Sequence, residues 1–118
     1  MDLFTDILER KEFDFDGGKV ELARADSSPG YFKRTREAGK IEDEAEKEKA
    51  MRAIIGEELI ISWSGLKYKG KPVKFSKKNA VKLMEHARFR SFVLSVVIGG
   101  DFSGEKEIDL ELEEAEKN

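Results

Sequence analysis

The sequence contains no cysteine and a single histidine, His86, among its 118 residues. Without cysteine, disulfide bonds and thiolate metal sites are excluded, and the chain places no demand on an oxidising compartment. A Ser-His-Asp or Cys-His centre would need His86 beside a nucleophile. Its polar context between two predicted helices favours a surface position instead. A dedicated transition-metal site is therefore not expected, and we predict no cofactor.

Long apolar runs are also missing, since no stretch approaches the roughly 20 residues that a helix needs to cross a bilayer. The first residues, MDLFTDILERKEF, carry acidic side chains where a secretory signal has a basic region. We therefore expect a cytoplasmic protein with no membrane partner.

Catalytic motifs are absent as well. The glycines show neither GxxxxGK[ST] nor GxGxxG, the usual phosphate-binding patterns. General acid catalysis needs a carboxylate buried enough to shift its pKa. The adjacent Glu57 and Glu58 would point to different sides of a helix, and the other acidic residues suggest solvated faces. An enzyme is the least expected class of protein.

Charge is plentiful and unevenly distributed. Charged residues make up 40% of the chain, whereas about a quarter is usual. Residues 66–90 contain nine basic residues and one acidic residue, while residues 91–118 contain two basic and eight acidic residues. Residues 1–65 are net acidic. A basic centre between acidic flanks suits contact between copies of the chain as well as binding to a polyanion.

A β-hairpin is predicted near the N-terminus. Apolar and charged residues alternate over 13–15 and again over 20–22, on either side of Asp16-Gly17-Gly18. Alternation, turn and alternation are the signature of a hairpin. Before it, Asp2–Arg10 has apolar residues at helical spacing and predicts a short amphipathic helix.

Helices are predicted after the hairpin. Ser28 before Pro29 is a capping signal for a helix that ends near Gly39. The next helix is predicted from about Glu42 to about Trp63, with a solvated first half and a buried second half.

Two further helices complete the prediction. Ser76 caps the run SKKNAVKLMEH, and ARFRSFVLSVVIGG follows as a helix that ends at Gly99-Gly100. The expected fold is α+β and predominantly helical, with a hairpin, about four helices and a short extended segment near Val73–Phe75. We expect one globular domain over residues 1–100 and an acidic, free or weakly helical tail over 101–118.

Residues 60–79 form the most informative stretch. Trp63 is the only tryptophan, and we predict that a helix ends there before the chain turns twice through glycines. We expect Trp63, Val73 and Phe75 to pack in the core. The stretch gives a structural signature made of Trp63, Gly65, Gly70, Pro72 and Phe75.

The candidate interaction residues are lysines of the same stretch: Lys67, Lys69, Lys71, Lys74, Lys77 and Lys78. Tyr68 and Phe75 are interleaved with them, and lysines with aromatic residues are typical of nucleic-acid binders. Arginine, the usual reader of bases, is scarce here. We favour a solvated face or an acidic protein partner, and we keep nucleic-acid binding as the alternative.

Two blocks carry a resemblance to a known family. They are VELARADSSPGYFKRTRE, over Val20–Glu37, and IISWSGLKYKGKPVKFSKKNAVKLM, over Ile60–Met84. In order and spacing they resemble the tail assembly chaperones, small tail accessory proteins of long-tailed (siphovirus) bacteriophages. The chain departs from the pattern at Lys67–Lys71, where an aspartate-rich turn would be expected.

The resemblance implies a function. Such a protein is not an enzyme and acts during tail assembly, where it coats the tape measure protein and recruits the major tail protein. It also implies self-association. The alternatives are a nucleic-acid-binding accessory module that uses the Lys67–Lys82 segment, and a structural tail or connector subunit.

Overall fold

The computed structural model describes residues 9–98. Its elements, in chain order, are β1 (Arg10–Phe15), β2 (Gly18–Ala23), α1 (Pro29–Ala38), α2 (Glu44–Glu58), β3 (Ile60–Ser64), β4 (Lys67–Tyr68), β5 (Lys71–Pro72), α3 (Lys77–Leu83) and α4 (Ala87–Val97), with a single 3-10 turn at Ala25–Ser27. The predicted fold class, α+β with an N-terminal hairpin and four helices, is confirmed. The predicted tail and the helix end at Gly99-Gly100 lie outside the described residues.

The N-terminal hairpin forms where the alternation predicts it. Asp16 and Gly17 have φ values of 48° and 83°, and two consecutive residues with positive φ fit the twist of a tight hairpin. The predicted helix over Asp2–Arg10 is wrong at its end, because Arg10 begins β1 and pairs with Ala23. The rest of that predicted helix lies almost wholly outside the described residues.

The hairpin is part of a larger sheet. Strand β2 is central in a three-stranded antiparallel sheet of order β1-β2-β3. Val20 and Leu22 of β2 are fully buried. The register between β2 and β3 shifts between Glu21 and Leu22, which marks an irregularity in the pairing.

The long helix predicted over 42–63 is wrong in its last turn. Helix α2 begins after Asp43, whose carboxylate accepts a hydrogen bond from the Glu46 amide, and it ends at Glu58. The following residues form β3. Isoleucine and tryptophan favour strands. The pairing with β3 also satisfies backbone groups of β2, which a helix continuing past Glu58 would leave without a strand partner. Trp63 therefore lies on a strand and not at a helix end.

A second, two-stranded hairpin was not predicted. Strands β4 and β5 pair Lys67 with Pro72 and Tyr68 with Lys71. The amide of Val73 donates to the carbonyl of Leu66 at 2.9 Å, so the pairing continues to Val73. The extended segment predicted near Val73–Phe75 thus begins at Lys71.

Two serine caps fix the starts of the shorter helices. The Ser28 hydroxyl accepts a hydrogen bond from the Tyr31 amide at 3.1 Å, and the Ser76 hydroxyl accepts one from the Asn79 amide at 3.0 Å. Each bond satisfies an amide that the first helical turn leaves without a partner. Both predicted helix starts are confirmed.

The core lies between the three-stranded sheet and the helices. Gly56 lets α2 approach α3 closely, since an added Cβ there would stand 3.2 Å from the Cα of Val81. The cluster of buried residues draws on β2, β3 and all helices but α1. Its largest fully buried members are Leu22, Leu59, Ile60, Met84, Val20 and Val93.

Candidate functional site

The small β4–β5 hairpin presents the lysine-rich part of the chain. Leu66 is buried at its base, and its turn is formed by Lys69 and Gly70 with φ values of 53° and 80°. Gly65, before the hairpin, has a φ of 73°. Both glycines of the signature therefore occupy left-handed conformations that most side chains disfavour. Gly65 forms the bend before the hairpin, and Gly70 forms part of the turn at its tip.

The candidate lysines form a cationic surface, here called the lysine surface. It comprises Lys67, Lys69, Lys71, Lys74, Lys77 and Lys78, all of which are exposed. Within residues 9–98, none of them forms an ion pair with a carboxylate. The Lys77 ammonium donates to the backbone carbonyl of Glu57. Uncompensated charge of this kind attracts an acidic partner from a distance.

Several arginines elsewhere in the described residues behave differently. The guanidinium groups of Arg24, Arg34, Arg52 and Arg88 each form an ion pair with at least one carboxylate. The lysine surface is thus a cluster of exposed positive charges without a described ion-pair partner.

A pocket of about 260 Å³ lies beside the β4–β5 hairpin and is here called the aromatic pocket. Its apolar lining comes from strand β1, from both sides of the small hairpin, and from α3 and α4. These apolar residues are Phe15, Leu66, Val73, Leu83 and Phe89. Its polar lining is formed by Asp16, Lys67, Tyr68, His86 and Arg88.

Aromatic and cationic groups contact one another around this pocket. The rings of Tyr68 and His86 have centroids 5.0 Å apart. The Lys69 ammonium lies 5.4 Å from the centroid of Tyr68, and the Arg88 guanidinium lies 5.4 Å from that of Phe15. Such cation–π contacts contribute about 0.5–1 kcal/mol at exposed sites.

Arg88 is also neutralised by a carboxylate. Its two terminal nitrogens contact the two oxygens of Asp16 at 2.5 and 2.6 Å. This two-point contact fixes the turn of the first hairpin against the start of α4. The net positive charge near the aromatic pocket therefore comes from Lys67 and its neighbours on the hairpin.

Trp63 supports the pocket from the core side. It is 8% exposed, and its indole N–H donates to the carbonyl of Val73 at 2.8 Å. Its ring packs edge-on against Phe75 at 5.0 Å and against Phe89 at 6.3 Å. Pro72, the remaining signature residue, is exposed on β5. Trp63 thus joins β3 to the segment that carries the lysines.

A second concave surface lies between α1 and α2 and has a volume of about 660 Å³. Beside it, Arg34 contacts Glu57 at 2.7 Å and Glu58 at 3.4 Å. The expectation that these two glutamates point to different sides is wrong, because both reach one guanidinium near the end of α2. The hydrogen bond that the Arg34 guanidinium donates to the Glu57 carboxylate is the main reason that the pKa of Arg34 is raised.

Tyr31, on α1, gives a pH-dependent prediction. Burial raises the pKa of its hydroxyl above the usual value of 10.0, because the charged phenolate is poorly solvated there. The neutral form thus adds stability that is complete below pH 10 and is lost as the pH rises through the folded-state pKa. In urea unfolding from pH 8 to 11, we expect Tyr31→Phe to lose less stability than the wild type. Parallel profiles for the two proteins would contradict this.

Residues 9–98 contain no group of three histidine or acidic side chains placed to hold a metal ion. Across the same residues, no helix is both long enough and apolar enough to cross a membrane.

Sequence reasoning identifies the lysines but misses the aromatic pocket. Asp16 and Arg88 are separated by 72 positions, and no local pattern links them. His86 is exposed between α3 and α4, as its polar context predicts, but its contact with Tyr68 depends on the unpredicted β4–β5 hairpin. Only a signal for that hairpin, the Lys69-Gly70 turn, could have led to the pocket.

Comparison with known proteins gives one family. The model of the YdaY prophage protein family matches residues 22–118, which include all the helices, β3 and the β4–β5 hairpin. Comparison with curated proteins and with solved structures gives no match. The match confirms the phage origin that the two sequence blocks imply. The chain belongs to the YdaY prophage protein family.

Proposed function

We propose that this protein is a non-enzymatic phage tail assembly chaperone that binds the tape measure protein and the major tail protein during assembly. The observation that carries the proposal is the lysine surface, which stands without described counter-charges beside an apolar pocket. Charge of one sign speeds encounter and selects partners, and an apolar pocket anchors a partner side chain. Membership of a prophage protein family supports the proposal, because the proposed partners are phage proteins.

A second charged surface is available for a different partner. The first half of α2 exposes Glu44, Glu46 and Glu48. A basic segment of one tail protein could bind there while an acidic segment of another binds the lysine surface. Two surfaces of opposite sign would let one small domain bring two different tail proteins together.

The proposal is tested by co-expression with the tape measure protein of the same phage. The hairpin triple variant replaces Lys67, Lys69 and Lys71 with glutamate. A control triple variant makes the same change at three other exposed lysines, Lys33, Lys40 and Lys49. We expect tape measure protein to co-purify with the wild type and with the control, and to fall at least tenfold with the hairpin triple variant.

Two outcomes would contradict the proposal. One is a failure of the wild type to retain or solubilise the tape measure protein. The other is the recovery of this protein in mature virions by mass spectrometry, since a chaperone leaves the finished particle and a structural tail or connector subunit remains in it.

Nucleic-acid binding is the second candidate function. Tyr68 is 43% exposed beside Lys67 and Lys69, and an exposed aromatic ring among lysines can stack on a base. Such binding would weaken steeply as salt rises, because counterions are released from the nucleic acid. A mobility-shift titration that shows no complex at low salt would remove this candidate.

A further inference from the structure

We propose that the acidic C-terminal segment of this same chain, residues 107–113, binds the aromatic pocket and the adjoining lysine surface. It would act as a built-in competitor for acidic partners of that surface. The contact itself is independent of the proposed function, which enters only in the identity of the partner that is displaced.

The segment provides aliphatic side chains for the aromatic pocket and carboxylates for the lysine surface. Its sequence, EIDLELE, alternates three aliphatic residues with four carboxylates. The aromatic pocket offers an apolar lining with Lys67 at its edge, and Lys69 and Lys71 continue the positive charge along the small hairpin. An aliphatic side chain flanked by carboxylates therefore fits both the pocket and its surroundings.

The size of the pocket favours a side chain over a cofactor. At about 260 Å³, it lies below the range of roughly 300–1,000 Å³ that is usual for small-molecule sites. The volume is large enough to admit an isoleucine or leucine side chain, such as Ile108, Leu110 or Leu112. Burial of such a side chain contributes favourably in proportion to the apolar area removed from water.

The attraction for an acidic segment comes from cations that have no described carboxylate partner. Arg88 is paired with Asp16, so it adds little net charge. Within residues 9–98, Lys67, Lys69 and Lys71 have no carboxylate within ion-pair distance. Residues 91–118 contain eight acidic residues and two basic ones, which makes this part of the chain a suitable source of counter-charge.

The chain is long enough to reach the pocket within one molecule. Helix α4 has 11 residues and is therefore about 16 Å long. The eight residues 99–106 can span about 26 Å when extended. They can return the segment to the start of α4, where His86 and Arg88 line the pocket. A short tether gives an effective concentration of the order of millimolar, which favours this contact over one with a second copy.

Paramagnetic relaxation enhancement tests the contact in the full chain. Because the protein has no cysteine, Ala115→Cys gives one site for a nitroxide label next to the segment. Trp63 gives the only indole N–H signal, and its hydrogen bond to Val73 places it behind the pocket. We expect strong broadening of the Trp63 indole, Tyr68 and Val73 signals at low salt, and much weaker broadening on α1.

The matched variants decide whether the contact is specific. Broadening should disappear in the hairpin triple variant and persist in the control triple variant, with both spectra retaining the dispersion of a folded protein. Weak, uniform broadening in the labelled wild type would overturn the proposal. The nitroxide can also be placed on one copy of the protein while the signals of another copy are observed. Equal broadening in that mixture would overturn the intramolecular contact and indicate exchange between molecules.

A binding measurement separates this proposal from the proposed function. With Asp109→Asn, Glu111→Gln and Glu113→Gln combined, the competitor loses charge, and we expect the tape measure protein to bind about tenfold more tightly. If the label reports the contact but the tape measure protein does not bind, the proposed function fails and the intramolecular contact stands. If the wild type and this triple variant bind the tape measure protein equally, the competitor role is wrong.

Discussion

Replacement of Trp63 by alanine is expected to lower the free energy of unfolding by about 3–5 kcal/mol, the usual cost of removing a buried tryptophan or phenylalanine. Trp63 is 8% exposed and packs between Phe75 and Phe89. Its loss would leave a cavity between β3 and the segment that follows β5. Since a domain has a total stability of about 5–15 kcal/mol, this single change removes a large part of it.

The measurement is a urea titration followed by far-ultraviolet circular dichroism, because the variant has no tryptophan fluorescence. Trp63→Phe is the matched control, since it keeps an aromatic ring and removes the indole donor to the Val73 carbonyl. That change should cost less, because it removes one hydrogen bond of about 1 kcal/mol and part of the ring volume. A loss below 1 kcal/mol in the alanine variant would contradict the packing described for Trp63.

The second large effect is expected at Gly18, at the start of β2. A Cβ added there would stand 2.7 Å from the Ser64 carbonyl oxygen and 2.8 Å from the Gly65 carbonyl carbon. Both are backbone atoms, so the clash can be relieved only by moving β2 away from the end of β3. We expect Gly18→Ala to cost about 3 kcal/mol, the upper end of the usual range for overpacking.

Gly30→Ala is the matched control for this substitution. There an added Cβ would meet the carboxylate end of Glu58, which can rotate away at the cost of its contact with Arg34. We expect a loss of less than about 1 kcal/mol, as for other exposed ion pairs. Thermal and urea unfolding of the two variants, measured side by side, check the difference. Equal losses would contradict the backbone contact between Gly18 and Ser64.

The parts of the fold that depend on short-range patterns could be predicted from the sequence. The Ser28 and Ser76 caps satisfy amides three residues away, and the turn at Asp16-Gly17 closes a hairpin between adjacent segments. Each of these features is decided within a few residues. The high lysine content between Lys67 and Lys78 is likewise visible in the sequence, and exposed ammonium groups follow from the cost of burying charge.

The parts that depend on distant residues could not be predicted in this way. The stripe of apolar residues in α2 continues into Ile60 and Ile61 without an interruption, so local periodicity extends the helix to Trp63. The partner that makes this segment a strand is β2, which pairs Val20 with Trp63. The aromatic pocket has the same origin, because its walls come from strands and helices far apart in the sequence.

The pairing of β3 with β2 also has a consequence for the order of folding. The hydrogen bond between Ser62 and Glu21 joins residues 41 positions apart, and α1 and α2 lie within the loop that it closes. Closing such a loop has an entropic cost that local hairpins and helices avoid, and contacts of this range slow folding. The fluorescence of Trp63, which lies on β3, therefore reports when the two halves of the domain come together.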